Sequence, residues 1–228
     1  MIPWHGDALY RFSRAASVSS DSSGERPLAT SSESREILTR TPSPRGVSFD
    51  LSVADSGTGK RKVGERASGL LAATQLTLDP STGTVPCSPM RAQLRADLAD
   101  LSFPLLTTIA RGESWTDSVS NEACVSGIPG TAQTRRQFLV MGDTTFGSMA
   151  AVIVERRDSV SLSGDGALDR HAITLAAHGA GGARIYISVP EGKVLRLERE
   201  LLLKINVTSG SRTRTFVQNS TSVAELDR

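Results

Sequence analysis

Ser88–Leu106 reads SPMRAQLRADLADLSFPLL, and it is the one stretch of this chain with a convincing helical pattern. Ser88 is a good N-cap, and Pro89 stands at the first helical position, where its missing N–H costs nothing. Met90, Leu94, Leu98, Leu101 and Leu105 recur every three or four residues and make one apolar stripe. Arg91, Arg95, Asp97 and Asp100 fall mostly off it, and Pro104 should end or bend the helix near Ser102 or Phe103. A stripe of this kind has to be buried, and only strand-like segments flank it. The expected fold is therefore mainly β: a curved antiparallel sheet or half-barrel with one central helix, about 88–103, packed on its inner face.

Upstream of the helix, Leu9-Tyr10-Arg11-Phe12 reads as a short strand. Ser13–Ser34 is rich in serine, with Gly24 and Pro27 inside it, and would be disordered in isolation. Residues 1–34 are thus expected to form an arm ordered only by contact with a partner, with Trp4, Leu9, Tyr10 and Phe12 as the contact residues. From residue 35 to 228 a single β-rich domain is expected. Its strands begin with Glu36–Arg40 and Val47–Val53; in the latter Val47, Phe49, Leu51 and Val53 share one face. Leu70–Asp79 follows, with turns at Asp55–Gly59 and Pro80–Gly83. Beyond the helix the reading is a meander of Ser114–Val119, Arg136–Met141, Ala150–Arg156, Ser159–Leu162, Ala172–Ala176, Arg184–Val189, Lys193–Glu198, Leu201–Val207 and Thr213–Gln218. Gly142-Asp143, Gly164-Asp165-Gly166, Gly179–Gly182, Pro190-Glu191-Gly192 and Ser209-Gly210 separate these segments. Such short connections make neighbours antiparallel. The helix would then be a crossover between two runs of strands.

The composition excludes more than it identifies. A net charge of +2, with both signs interspersed, argues against nucleic acid. No apolar run is long enough to span a bilayer as a helix. Met1-Ile2-Pro3-Trp4-His5 lacks the start of a signal peptide, so an export signal is not visible in this numbering. The strand-rich polar composition and the two cysteines favour the periplasmic side of a bacterial membrane, with the cytoplasm as the alternative. Cys87 and Cys124 bracket the helix, 37 positions apart. They are either a disulfide or two unrelated buried thiols, and their spacing excludes a CxxC motif.

No motif carries chemistry. SGTGKR at Ser56–Arg61 fails the phosphate-loop pattern, and no helix follows HGAGGAR at His178–Arg184, so each reads as a hairpin or glycine bulge. G-x-S-x-G is absent. His5, His171 and His178 have only Asp169 as a local carboxylate partner, and Asp165 with Asp169 lacks the ligand density of a calcium loop. No catalytic residue, metal site or cofactor is expected. Trp115 reads as a core anchor at the start of a strand. Asn206-Val207-Thr208 and Asn219-Ser220-Thr221 match the glycosylation acceptor by coincidence.

The SW strand at Ser114-Trp115, the GDGAL turn at Gly164–Leu168 and PEGKVLRLE at Pro190–Glu198 are laid out in a way that resembles bacterial unclosed-β-barrel proteins of the lipoprotein-carrier type. That resemblance implies an inner face that holds acyl chains and no catalytic residues. Three functions are then expected, in this order. The first is a non-catalytic periplasmic accessory subunit, bound to other protein subunits of a membrane-associated complex of the respiratory or photosynthetic type, with some lipid contact. The second is a carrier of an apolar ligand in the space between sheet and helix, which an apolar cavity beside Leu94, Leu98 and Leu101 would favour and a filled core there would sink. The third is an enzyme with a site assembled from scattered residues.

Overall fold

The first and last strands of the chain are hydrogen-bonded to each other, with Tyr10 opposite Leu226 and Ser20 opposite Phe216. This is seen in a computed structural model, which describes residues 6–20, 27–56, 65–72, 75–80, 87–103, 110–168 and 171–227. In chain order the elements are β1 (Gly6–Ser20), β2 (Leu28–Ser43), β3 (Gly46–Ser56), β4 (Arg66–Ala72), β5 (Gln75–Leu78), α1 (Pro89–Leu101), β6 (Ser114–Val125), β7 (Ile128–Phe146), β8 (Met149–Leu168), β9 (His171–Ser188), β10 (Val194–Ser209) and β11 (Arg212–Leu226). The strands form one 11-stranded sheet in the order β5-β4-β3-β2-β1-β11-β10-β9-β8-β7-β6. The sheet curls until β5 and β6 approach each other without a ladder between them. The result is a nearly closed antiparallel barrel, as the alternating strands and central helix predict.

Every neighbouring pair is antiparallel and the strand number is odd, so the two edge strands run in the same direction. A hairpin cannot join two parallel strands, and the chain needs a crossover. That crossover is α1. Cys87, just before the helix, is bonded to Cys124 at the end of β6, while Arg136, paired with Asp117 near the start of β6, reaches the carbonyls at the helix C-terminus. The helix therefore runs antiparallel to both edges, against β3, β4, β5 and β6 inside the barrel.

Ser88 caps α1 as expected: its hydroxyl accepts from the Arg91 N–H at 3.3 Å, and Ser102 closes the other end. Leu94, Leu98 and Leu101 pack into a core with Tyr10, Phe12, Leu38, Phe49, Leu51, Phe138, Val154 and Ile185. Met90 is half-buried, and Leu105 lies outside the described residues, as do Pro104 and the proposed turns at 57–59 and 81–83. Trp115 is partly buried and stacks on Phe138, with ring centroids 4.8 Å apart.

Several boundaries differ from the sequence reading, for one recurring reason. The Ser-rich segment is no separate arm where it is described: Ala8–Ser20 and Leu28–Ser34 are strand, and β1 is paired on both sides. Backbone hydrogen bonds from two neighbours supply what its composition lacks. Tyr10 and Phe12, expected to touch a partner, are 1% and 2% exposed in the core, because β1 turns them into the barrel; the Tyr10 hydroxyl donates to Val194 O at 3.0 Å. Leu9 faces the other way, half-buried, and Trp4 lies outside the described residues. The separate strands expected at 150–156 and 159–162 are the single strand β8, and β9 and β10 likewise each merge two. HGAGGAR is thus the middle of β9 rather than a turn. At Gly179 and Gly181 a Cβ would come within 2.0 Å and 2.2 Å of β10 carbonyl oxygens, so close strand approach fixes those glycines. Gly164-Asp165-Gly166 is also paired strand, whereas Gly142, at φ +135°, forms a bulge in β7.

Cys87 and Cys124 form a disulfide, their Cα atoms 5.6 Å apart. It staples the helix entry to the edge strand, across a loop whose closure in the unfolded chain is worth roughly 3–4 kcal/mol. Reduction, or the Cys87→Ser/Cys124→Ser double variant, should lower stability by that amount in denaturant titrations run with and without reductant. An unchanged midpoint would show the staple to be dispensable.

Candidate ligand-binding lumen

Alternation along each strand puts one side chain in two into the barrel, and at one level those inward side chains are charged. β8 presents Val152, Val154, Arg156, Asp158 and Val160 inward; β10 presents Leu197, Arg199, Leu201 and Leu203. β1 contributes Arg14, β2 Glu36, β6 Asp117 and β7 Arg136. The helix meets them with Asp97 and Asp100, one turn apart, and both are buried. The sequence reading had placed Arg95, Asp97 and Asp100 off the buried stripe. Pro89 and Gln93 in the first half of the helix are exposed, but from Asp97 to Leu101 the barrel surrounds it, and Arg95, Asp97 and Asp100 are buried with the leucines.

Three groups of contacts hold the helix to the wall. Arg136 forms a two-pronged pair with Asp117 (2.7 and 2.6 Å) and donates to Ala99 O and Ser102 O, so it neutralises a buried carboxylate and caps the helix C-terminus together. Arg156 donates to Asp100 (2.9 Å) and Asp158 (2.8 Å), and Arg199 donates to the other Asp100 oxygen at 3.1 Å. Arg14 Nη2 donates to both Glu36 and Asp97, each at 2.6 Å, while Nη1 donates to Ser34 at 2.7 Å.

Electrostatics separates the two helix aspartates. Burial pushes the Asp100 carboxyl up, but Arg199, Arg156 and Arg136 together outweigh it and hold the group below the ordinary carboxylate range. At Asp97 burial and the nearby Glu36 carboxylate outweigh Arg14 and push the pKa to about 7. Four arginines face five carboxylates in this layer, so a proton on Asp97 balances the charge.

Beside the charged layer the lumen is empty over about 400 Å³. On one side stand Ala92, Ala96 and Ala99, the small face of α1; opposite are Val160, Leu162, Leu201 and Leu203, and Arg14, Asp100, Arg136 and Arg199 lie at its margin. The space expected beside Leu94, Leu98 and Leu101 is filled by core. The cavity lies on a different face of the same helix.

Other residues singled out in the sequence do not converge. His171 and His178 are exposed on β9, His5 and Asp169 lie outside the described residues, and so does most of SGTGKR. Among the described residues no group of three histidine, cysteine or carboxylate side chains is placed to hold a metal ion. Asn206 accepts from Thr215 between β10 and β11. The outer faces of β7–β10 carry Gln133, Arg135, Gln137, Arg157, Ser159, Ser161, Arg184, Glu200 and Lys204. Leu139 and Met141 of β7 and Leu202 of β10 are exposed among them.

No protein family matches the chain, and no curated protein does. Among solved structures it is similar to the in-vitro folded trimer form of OmpT, an outer membrane protein of Vibrio cholerae, at 8% identity over 98% of this chain and 100% of that one, with a TM-score of 0.29. The loop L8 deletion mutant of OmpT gives 10% identity over 96% and 98%, with the same TM-score of 0.29. Both are outer membrane proteins rather than lipoprotein carriers, and similarity at this level transfers no function.

Proposed function

We propose that this protein binds an apolar or amphiphilic small molecule inside the barrel, between the alanine face of α1 and the aliphatic wall of β8 and β10. The carrying observation is the lumen of about 400 Å³, within the size range of small-molecule sites, where aliphatic side chains of α1, β8 and β10 share the lining with polar ones such as Gln93, Asn121, Gln218 and Ser220 and with charged groups at one margin. The disulfide supports placement in an oxidising compartment, and we take this to be the periplasm. The accessory-subunit reading loses Tyr10 and Phe12 as contact residues, since both are core.

The test is a cavity-filling substitution. Ala96 is on the lumen face of α1, so Ala96→Trp should occupy the site and weaken binding of a fluorescent fatty-acyl probe at least tenfold, with the folded far-ultraviolet spectrum retained. Solvent extraction of protein purified from its native host should release a bound amphiphile by mass spectrometry. Undiminished probe binding by a folded Ala96→Trp protein would place the ligand elsewhere.

A further inference from the structure

We infer, resting on the lumen-binding reading, that the ligand carries an anionic head, a carboxylate or a phosphate, seated on a row formed by Arg14, Ser222 and Arg199. The register places these three side by side. Ser222 on β11 is opposite Arg14 on β1 and opposite Arg199 on β10, so the three residues lie at one level on adjacent strands, about 4.8 Å apart from strand to strand. All three line the cavity.

The four lumen arginines are not equivalent donors. Arg136 uses all three of its nitrogens on Asp117, Ala99 and Ser102. The Arg156 side chain is fully buried, and Arg14 has both terminal nitrogens engaged. Arg199 is the most accessible of the four, at 17% side-chain exposure. It spends Nη1 on Asp100, directs Nε at Asp158 and keeps Nη2 without a partner among the described residues. The Ser222 hydroxyl beside it likewise has no hydrogen-bond partner among the described residues, so the row offers two adjacent donors on the cavity side. An anion there accepts from Arg199 Nη2 and Ser222 Oγ, with the Arg14 guanidinium behind. Asp100 also lines the cavity, but both of its oxygens are already held by Arg156 and Arg199.

The rest of the ligand follows from the same register. Two and four residues beyond Arg199 on β10 stand Leu201 and Leu203, and Val160 and Leu162 occupy the β8 wall. A tail leaving the head therefore meets these aliphatic side chains, with Ser220 and Gln218 of β11 beside Leu201 and Leu203, and the alanines of α1 on the other side. A neutral head of the same length would bury the tail equally well and leave the Arg199 donor unused.

The experiment compares decanoate, decyl phosphate and decanol by displacement of a fluorescent acyl probe from the full chain at pH 6, where Asp97 holds its proton and both acids are ionised. The anionic ligands should bind at least tenfold more tightly than decanol. Ser222→Ala, which leaves the ion pairs intact, should narrow that ratio severalfold, and Arg199→Gln should abolish it while decanol binding persists. The better of the two anions identifies the head. Equal affinity for decanol and both anions overturns the head assignment and leaves the lumen reading standing. Binding of none of the three overturns both.

Discussion

Replacing Arg136 with methionine should cost about 3–5 kcal/mol of stability, the largest loss expected from any single change in this protein. The substitution keeps most of the volume, so what it removes is the charge, the hydrogen bonding and the stacking of the guanidinium over the Phe138 ring, 5.4 Å from its centroid. Asp117, 9% exposed, would lose its Arg136 counter-ion, and the carbonyls of Ala99 and Ser102 would lose the donor that closes the helix. Denaturant unfolding measures the loss. The double variant Arg136→Met/Asp117→Leu separates the two contributions: removing the stranded carboxylate should recover most of the deficit, and the helix carbonyls account for what remains. A double variant as unstable as the single one would show the helix cap, rather than the buried charge, to be the larger part.

Asp97→Asn should change the pH dependence of stability, in a direction set by a raised pKa. In the unfolded chain the group titrates at the ordinary carboxylate value of about 4; in the folded protein it does so at about 7. Below both values the proton is bound in either state. Between them the folded state alone retains it, so this residue's contribution falls as pH rises from about 4 to about 7, and then levels off. Asparagine keeps the shape and removes the titration. The variant should therefore resemble the wild type near pH 4 and exceed it by a few kcal/mol at pH 8. Asp100 acts in the opposite sense, its pKa being lowered, and its contribution is lost only at more acidic pH. Parallel stability curves for the variant and the wild type between pH 4 and pH 8 would dismiss the assignment.

Much of the architecture was legible because it depends on local chemistry. Ser88, Pro89 and the leucines at 94, 98 and 101 define α1 to within a residue or two, and the alternation of Val47, Phe49, Leu51 and Val53 defines β3. The lumen was not legible. Its residues stand at core-facing positions of their strands, but being charged they interrupt the apolar alternation by which strands are recognised. Arg156 and Asp158 split β8 into two expected strands, Arg199 obscured β10, and Asp97 and Asp100 looked like the wet side of an amphipathic helix. One signal was present. In Val152, Val154, Arg156, Asp158, Val160 the period of two continues through the charges, which is how a strand reads when its inner face passes a polar layer. Which charges pair could not be known before the register was, since Arg14 and Asp97 are 83 residues apart.

The pairing of the two terminal strands has a consequence for biogenesis. Chain ends lie in the middle of the sheet and the middle of the chain lies at its edges, so synthesis completes β1 long before its second neighbour exists. Until β11 emerges, β1 displays an open hydrogen-bonding edge, a template for pairing with another nascent chain. The serine-rich composition of β1 and β2 is well suited to that interval: it forms strand when a partner arrives and offers little apolar surface while it waits. Contacts of this sequence separation make folding slow and dependent on β11. Deletion of β11 should consequently be far more damaging to the yield of folded protein than its few residues of core would indicate.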